Sequence, residues 1–410
     1  MKKFTRLTAL VLASALILVG CTPSTGSDTG PSIQAELEAA EAVENKTVDE
    51  AKVVEALKVL EAYSDKNVRY EPLDDPNDEY NLNIIKNVHM IAVETGDYSI
   101  NDTKEQFGIG GTDLGISIRT DDYTLLAFGD TVHDEERNTN WRSNVLAITT
   151  DTDYTDGIIF DDVISEPGSN SAMEFIPSRK IDNLEMTTIP TGGIVIDDNI
   201  YISYMSVKTW GAHGDWAINH SGISKSTDGG ETWNVIEGLE WDGYTHFGQM
   251  APVIIDDYVY VLGITGGRNN HAKLMRVPID QYEDIDAYEY MMGYDESGEP
   301  YYEQGENAMY RGHEIIPGEV GEMSIMYSEY LEEWIVTFLR NDDLVMVSSK
   351  EITGPYSNPA TIAAQADFPG LYGGFMNPDW VSEDGSKIGF LMSVWHPVYN
   401  VVLMEMELEK

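Results

Sequence analysis

Three stretches of this chain repeat one pattern: an apolar strand, an acidic pair, and a second strand in which apolar and aromatic residues alternate. They run from Ile118 to Phe128 around Asp121-Asp122, from Ile194 to Ile202 around Asp197-Asp198, and from Val253 to Val261 around Asp256-Asp257. Looser copies follow from Ser324 to Phe338 and from Val381 to Leu391. Two alternating runs joined by a short polar turn make a β-hairpin, because period-two alternation puts one face on a core and the other towards solvent. Five such hairpins over roughly 320 residues leave about 60 to 65 residues per unit, the size of one propeller blade. The chain is therefore expected to be all-β, a five-bladed β-propeller over residues 84–410. The early strand around Val88 to Val93 and the last one, Val401 to Leu408, would share a blade and close the ring. An array of β-sandwiches is the alternative, but it does not require five similar hairpins at this spacing.

The stretch from Phe107 to Thr131 carries the sharpest chemical signal. Asp113 stands among Gly110, Gly111 and Gly115, and Asp130 stands between Gly129 and Thr131. Glycine lets a backbone approach a ligand closely and leaves a neighbouring carboxylate unmasked. The hairpin between the two acids returns Asp130 towards Asp113, and two converging carboxylates suit general acid/base work on a glycosidic bond. The alternative is that both are turn residues capping loops. Glu322, between Gly321 and an apolar strand, is a third candidate acid.

Propeller loops at one end converge on the axis, so polar and aromatic residues near strand starts compete for a binding role. Arg142 and Asn144 in W-R-S-N, Trp216, His246 and Gln249 around H-F-G-Q-M-A-P, Arg268 in G-G-R-N, and Tyr372 in Y-G-G-F-M-N supply the aromatic faces and planar donors that hold sugars. Each also has a structural alternative: surface ion pairs for the arginines, inter-blade core for the aromatics, and hydrogen-bonded loop residues for the histidines. The run from Ser224 to Trp233, S-K-S-T-D-G-G-E-T-W, resembles the Asp-box turn of propeller blades. Asp228 is thereby expected to brace its own turn rather than to take part in chemistry.

The N-terminus places the chain in a compartment. Lys2, Lys3 and Arg6 precede an apolar run from Leu7 to Val19 and then Gly20-Cys21, a bacterial lipoprotein leader over residues 1–20. Cys21 is expected to be lipidated and to anchor the protein outside the cytoplasm. It is the single cysteine, so disulfides and thiolate chemistry are excluded for the mature domain. Residues 21–32 have a flexible tether composition, and residues 33–83 should be a docked helix followed by an acidic linker. Leader removal takes the net charge from −46 to −49, which repels phosphate backbones and excludes nucleic acid as a partner. A neutral polysaccharide or oligosaccharide suits such a surface, and a monomer is expected. No cofactor or metal motif is present. A structural calcium ion is compatible with so acidic a chain, although no EF-hand-like loop is seen.

The segments G-G-T-D-L-G (110–115), F-G-D-T (128–131), W-R-S-N (141–144), P-T-G-G (190–193), F-G-Q-M-A-P (247–252), G-G-R (266–268) and Y-G-G-F-M (372–376) together resemble domain-of-unknown-function family 4185, in the same order. That family is similar to five-bladed glycosidases, and some members form glycoside hydrolase family 183, endo-acting on D-arabinan. The resemblance implies a surface furanoside hydrolase and puts Asp113 and Asp130 where acidic site residues belong. An inverting reaction is expected, with Asp113 as general base, Glu322 as general acid and Asp130 positioning water or itself serving as the acid. A non-catalytic glycan-binding lipoprotein is the alternative. A sialidase-like activity ranks last because arginine is sparse.

Overall fold

The computed structural model describes residues 58–63, 66–68, 84–134 and 138–409. The leader, Cys21, the tether and most of the expected helix lie outside these residues. Residues 58–63 are helical, and Leu60 and Tyr63 are buried against the main domain. There the Tyr63 ring meets Phe368 edge-on at 5.2 Å, and Lys66 pairs with Asp367 at 3.0 Å.

The strands form five antiparallel sheets. Their innermost strands are Leu114–Arg119, Thr187–Ile196, Gln249–Ile255, Ser324–Ser328 and Leu371–Val381. These touch in cyclic order, the last against the first, which makes a closed five-bladed propeller. In every blade the repeated hairpin supplies the first two strands. Asp197 and Asp256 take the left-handed backbone (φ 51° and 52°) that a two-residue turn demands and that Asp tolerates. The third blade is enlarged to six strands against four in each of the others, with Glu289–Tyr294, Pro300–Gln304 and Ile316–Val320 following its first three.

Ring closure joins the two ends of the described domain. Ile85–Val93 pairs antiparallel with Asn400–Leu408 and becomes the outer strand of the fifth blade, with Met90 opposite Met404. This gives the terminal strand a partner from the other end of the domain and seals the fold by backbone hydrogen bonding.

Close packing at the axis explains the P-T-G-G run. A Cβ on Gly192 would lie 2.4 Å from the Met250 carbonyl of the next blade, and one on Gly193 would lie 2.4 Å from Ile118 of the preceding blade. Only glycine allows innermost strands to approach this closely. Between blades the core is aliphatic and aromatic, with Trp241, Trp380, Phe338 and Phe390 fully buried.

In an antiparallel blade, the start of the innermost strand and the loop between the second and third strands emerge at the same end. That end carries Asp113, Asp130, Gln249, Arg268, Glu322 and Tyr372, together with the turn at 211–215 and the loop at 395–399. They line a cavity of about 270 Å³ on the axis. The acidic turns face the opposite end, around a wider depression of about 850 Å³. Thr191, Met323 and Phe375 line both spaces and form the partition between them.

Candidate active site

Asp113 precedes the innermost strand of the first blade, and a backbone irregularity aims it. Leu114 has φ 70°, the pairing slips between Leu114 and Ile116 against Phe128 and Ala127, and the Leu114 amide donates to Ser393 Oγ at 2.8 Å. A bulge of this kind redirects a side chain at a strand end. Asp130 follows the next strand, Thr124–Phe128, and the Gly129 amide between them donates to the Asp113 carbonyl at 3.2 Å. A Cβ at position 129 would sit 2.3 Å from Asp113 Oδ1, so glycine is required for the carboxyl to lie where it does.

The two acids have different partners. Tyr372 donates its hydroxyl to Asp113 Oδ2 at 2.8 Å, and Tyr399 is a second hydrogen-bonding partner of this carboxyl. Asp113 Oδ1 is buried and without a hydrogen bond. Burial, and then the charge of Asp130, push Asp113 up to about 7 despite the tyrosine hydroxyls. Asp130 Oδ1 accepts from Trp141 Nε1 at 2.8 Å and from Thr187 Oγ1 at 2.6 Å. Burial raises Asp130 to about 6, with these two donors favouring its ionised form.

Glu322 also lines the cavity, with both oxygens engaged by Arg268. Arg268 Nε lies 3.0 Å from each oxygen, and Nη2 lies 2.6 Å from Oε1. Both Glu322 oxygens are thus taken up by a bidentate contact, whereas Asp113 Oδ1 has no hydrogen bond. The Arg268 guanidinium lies 5.2 Å from the Tyr372 ring centre and 5.5 Å from that of Trp216. Burial opposes its charge, but Glu322 outweighs burial and the Arg268 pKa is raised. Gln249 is fixed by donating to the Thr265 and Gly267 carbonyls.

Asp113, Asp130, Glu322, Trp216, Gln249, Arg268 and Tyr372 thus share one cavity. Three expected binding residues do not line it. The Arg142 guanidinium is used up on the backbone carbonyls of Ala172, Gly108 and Asn140, and the Asn144 carboxamide clasps backbone groups of Phe175, Ile176 and Thr188. His246 packs on the His271 ring at 4.4 Å, where burial, Lys273 and His271 hold its pKa down at about 4. Both ring nitrogens of His246 are buried without a hydrogen bond, whereas Arg142 and Asn144 are braces of the loops, because their polar groups meet unpaired backbone before they could meet a ligand. Asp228 likewise bonds within its own turn, to Ser226 and Thr232. Among the described residues, no group of three or more His, Cys, Asp or Glu side chains is arranged to hold a metal ion.

Several lining residues fell outside the sequence reading: Tyr399, Trp395, Trp210 and His213. The signal was present in W-G-A-H and W-H-P-V-Y-N, aromatic runs with Gly or Pro between apolar strands. They lie at the end of the second strand or in the second-to-third-strand loops of the second and fifth blades, whereas the aromatic candidates Trp216 and Tyr372 lie at strand starts.

The family profile described as domain of unknown function (DUF4185) matches residues 98–405, which include all five innermost strands and both acids. The chain belongs to the DUF4185 family. A curated relative, notoamide biosynthesis cluster protein J of Aspergillus sp. (strain MF297-2), is 27% identical over 322 residues, spanning 72% of this chain and 82% of that one. Among solved structures, a candidate hydrolase from Bacteroides ovatus ATCC 8483 superposes with a TM-score of 0.53 at 13% identity, covering 82% of this DUF4185 chain and 93% of its own. That likeness is one of fold. A fainter one, with a TM-score of 0.40 at 12% identity, joins 78% of this chain to 95% of the α-L-arabinofuranosidase PaAbf62A from Podospora anserina.

Proposed function

We propose that this DUF4185 member is a glycoside hydrolase that cleaves an arabinofuranose-containing polysaccharide of the D-arabinan kind, anchored outside the cytoplasm through Cys21. The observation that carries the hydrolase reading is the pair Asp113 and Asp130. Two carboxyls of raised and unequal pKa, differently bonded, meet in one axial cavity. The choice of arabinan rests on the family resemblance.

The partner sets support a different division of roles from the one expected from sequence. Asp113, buried and with one oxygen free of any hydrogen bond, carries the proton and is the general acid. Asp130, with two donors on Oδ1, is ionised and is the general base. Asp130 takes a proton from water as the water oxygen bonds to the anomeric carbon. The glycosidic C–O bond breaks on the opposite face, and its oxygen takes the Asp113 proton. Glu322 holds Arg268 beside Tyr372, which itself bonds Asp113, so this pair positions the acid. A neutral sugar suits the cavity, because among the described residues Arg268 is the one arginine that lines it and is already paired with Glu322.

The test is product analysis after incubation with mycobacterial arabinogalactan and, in parallel, plant L-arabinan. Oligosaccharides are expected from the first polymer, with Asp113→Asn lowering the rate by at least about 100-fold. Retention on the immobilised glycan without release of products would replace hydrolysis by the glycan-binding reading.

A further inference from the structure

Resting on the glycan reading, we propose that Trp210 and Trp395 form an outer sugar subsite at the cavity mouth, so that the ligand is a chain of several sugars rather than a single terminal residue. A path of ring contacts leads outward from the acids. Tyr372 bonds Asp113, Arg268 bridges Tyr372 and Trp216, and Trp216 meets Trp210 edge-on at 5.4 Å. Exposure rises along it, from 9% at Trp216 to 43% at Trp210, while Trp395 on the facing loop is 52% exposed. Exposed tryptophans are uncommon because each leaves a large apolar face in water, and sugar rings present the C–H face that such indoles cover.

The rim is built rather than incidental. The turn at 211–215 closes on itself through the Gly211 amide and the Asp215 carbonyl at 2.9 Å, and the Arg268 amide donates to the Gly214 carbonyl at 2.9 Å. His213 reaches across to Asp342 of the fourth blade at 2.8 Å and packs 6.5 Å from the Trp395 ring of the fifth. Loops from four blades thus hold the two indoles in place, which lowers the ordering cost of binding. Size points the same way. A cavity of about 270 Å³ lies below the roughly 300–1,000 Å³ of pockets that enclose a whole drug-sized ligand. A polymer must therefore leave the cavity over this rim.

Binding is measured with the Asp113→Asn protein, which retains the rim, against arabinogalactan-derived D-arabinan fragments of two to eight residues, with titration calorimetry as the readout. Affinity is expected to climb with length. Trp395→Ala and Trp210→Ala should each weaken the longest fragment by about three- to tenfold and the disaccharide by less, since an aromatic contact is worth about 0.5–1.5 kcal/mol. Equal losses at every length, or no loss, would overturn the subsite and leave the glycan reading in place. If no fragment binds, and the unsubstituted protein cuts none of them, the glycan reading falls and takes the subsite with it.

Discussion

Asp113 and Asp130 are held in a setting where neither is well solvated, and the charge of Asp130 adds to the cost of charging Asp113. The proposed hydrolysis needs Asp113 protonated and Asp130 ionised. Asp113 is pushed up to about 7 and Asp130 to about 6. As pH falls below about 6, Asp130 takes up the second proton and the base is lost. As pH rises above about 7, Asp113 gives up its proton and the acid is lost. The profile of kcat/KM against pH on arabinogalactan is therefore expected to be bell-shaped with its maximum between about 6 and 7. A rate still rising at pH 9 would exclude Asp113 as the proton donor. The residue scale also shows why side-chain type alone misled at Arg142, Asn144 and His246. Arg142 and Asn144 spend their polarity on backbone and His246 stacks on another ring, and no local pattern distinguishes a donor aimed at a carbonyl from one aimed at a ligand.

At the scale of elements, the glycines of the P-T-G-G run set how closely the blades pack. The Gly192→Ala protein would place a Cβ 2.4 Å from the Met250 carbonyl, a backbone atom that cannot rotate away. A loss of about 1–3 kcal/mol is expected, read from the urea midpoint at unchanged slope. An unchanged midpoint would mean that the innermost strands slide apart freely. The hairpins themselves were legible, since alternation and an acidic turn specify two strands and their connection within a dozen residues. The two strands by which the third blade exceeds the others were not. Glu289–Tyr294 and Pro300–Gln304 pair beyond the blade's outer edge, and their place depends on a distant partner surface rather than on their own pattern.

At the scale of the whole molecule, the ring is held shut where Ile85–Val93 meets Asn400–Leu408. Met90→Cys combined with Met404→Cys, directly opposite in register, would cross-link the two ends of the domain. Closing so long a loop is worth up to about 4–5 kcal/mol in the chain-entropy account. A higher Tm is expected under oxidising conditions, abolished by reductant. Equal melting in both states would place the weakest point of the ring elsewhere.

The amino-acid sequence by itself determined the all-β class, the number of blades and the pair of terminal strands that closes them. All of these follow from alternation, turn chemistry and spacing along the chain. It also singled out Asp113, Asp130, Glu322, Arg268 and Tyr372 as residues worth placing together. Only the tertiary structure shows what surrounds each acid: burial, the tyrosines at 372 and 399 beside Asp113, and a glycine that lets its carboxyl lie against the backbone. It alone decided that Glu322 serves Arg268, and that Trp210 and Trp395, far apart in sequence, stand at one mouth. Charge and contact act through space, and the propeller brings five separate stretches of chain to one axis.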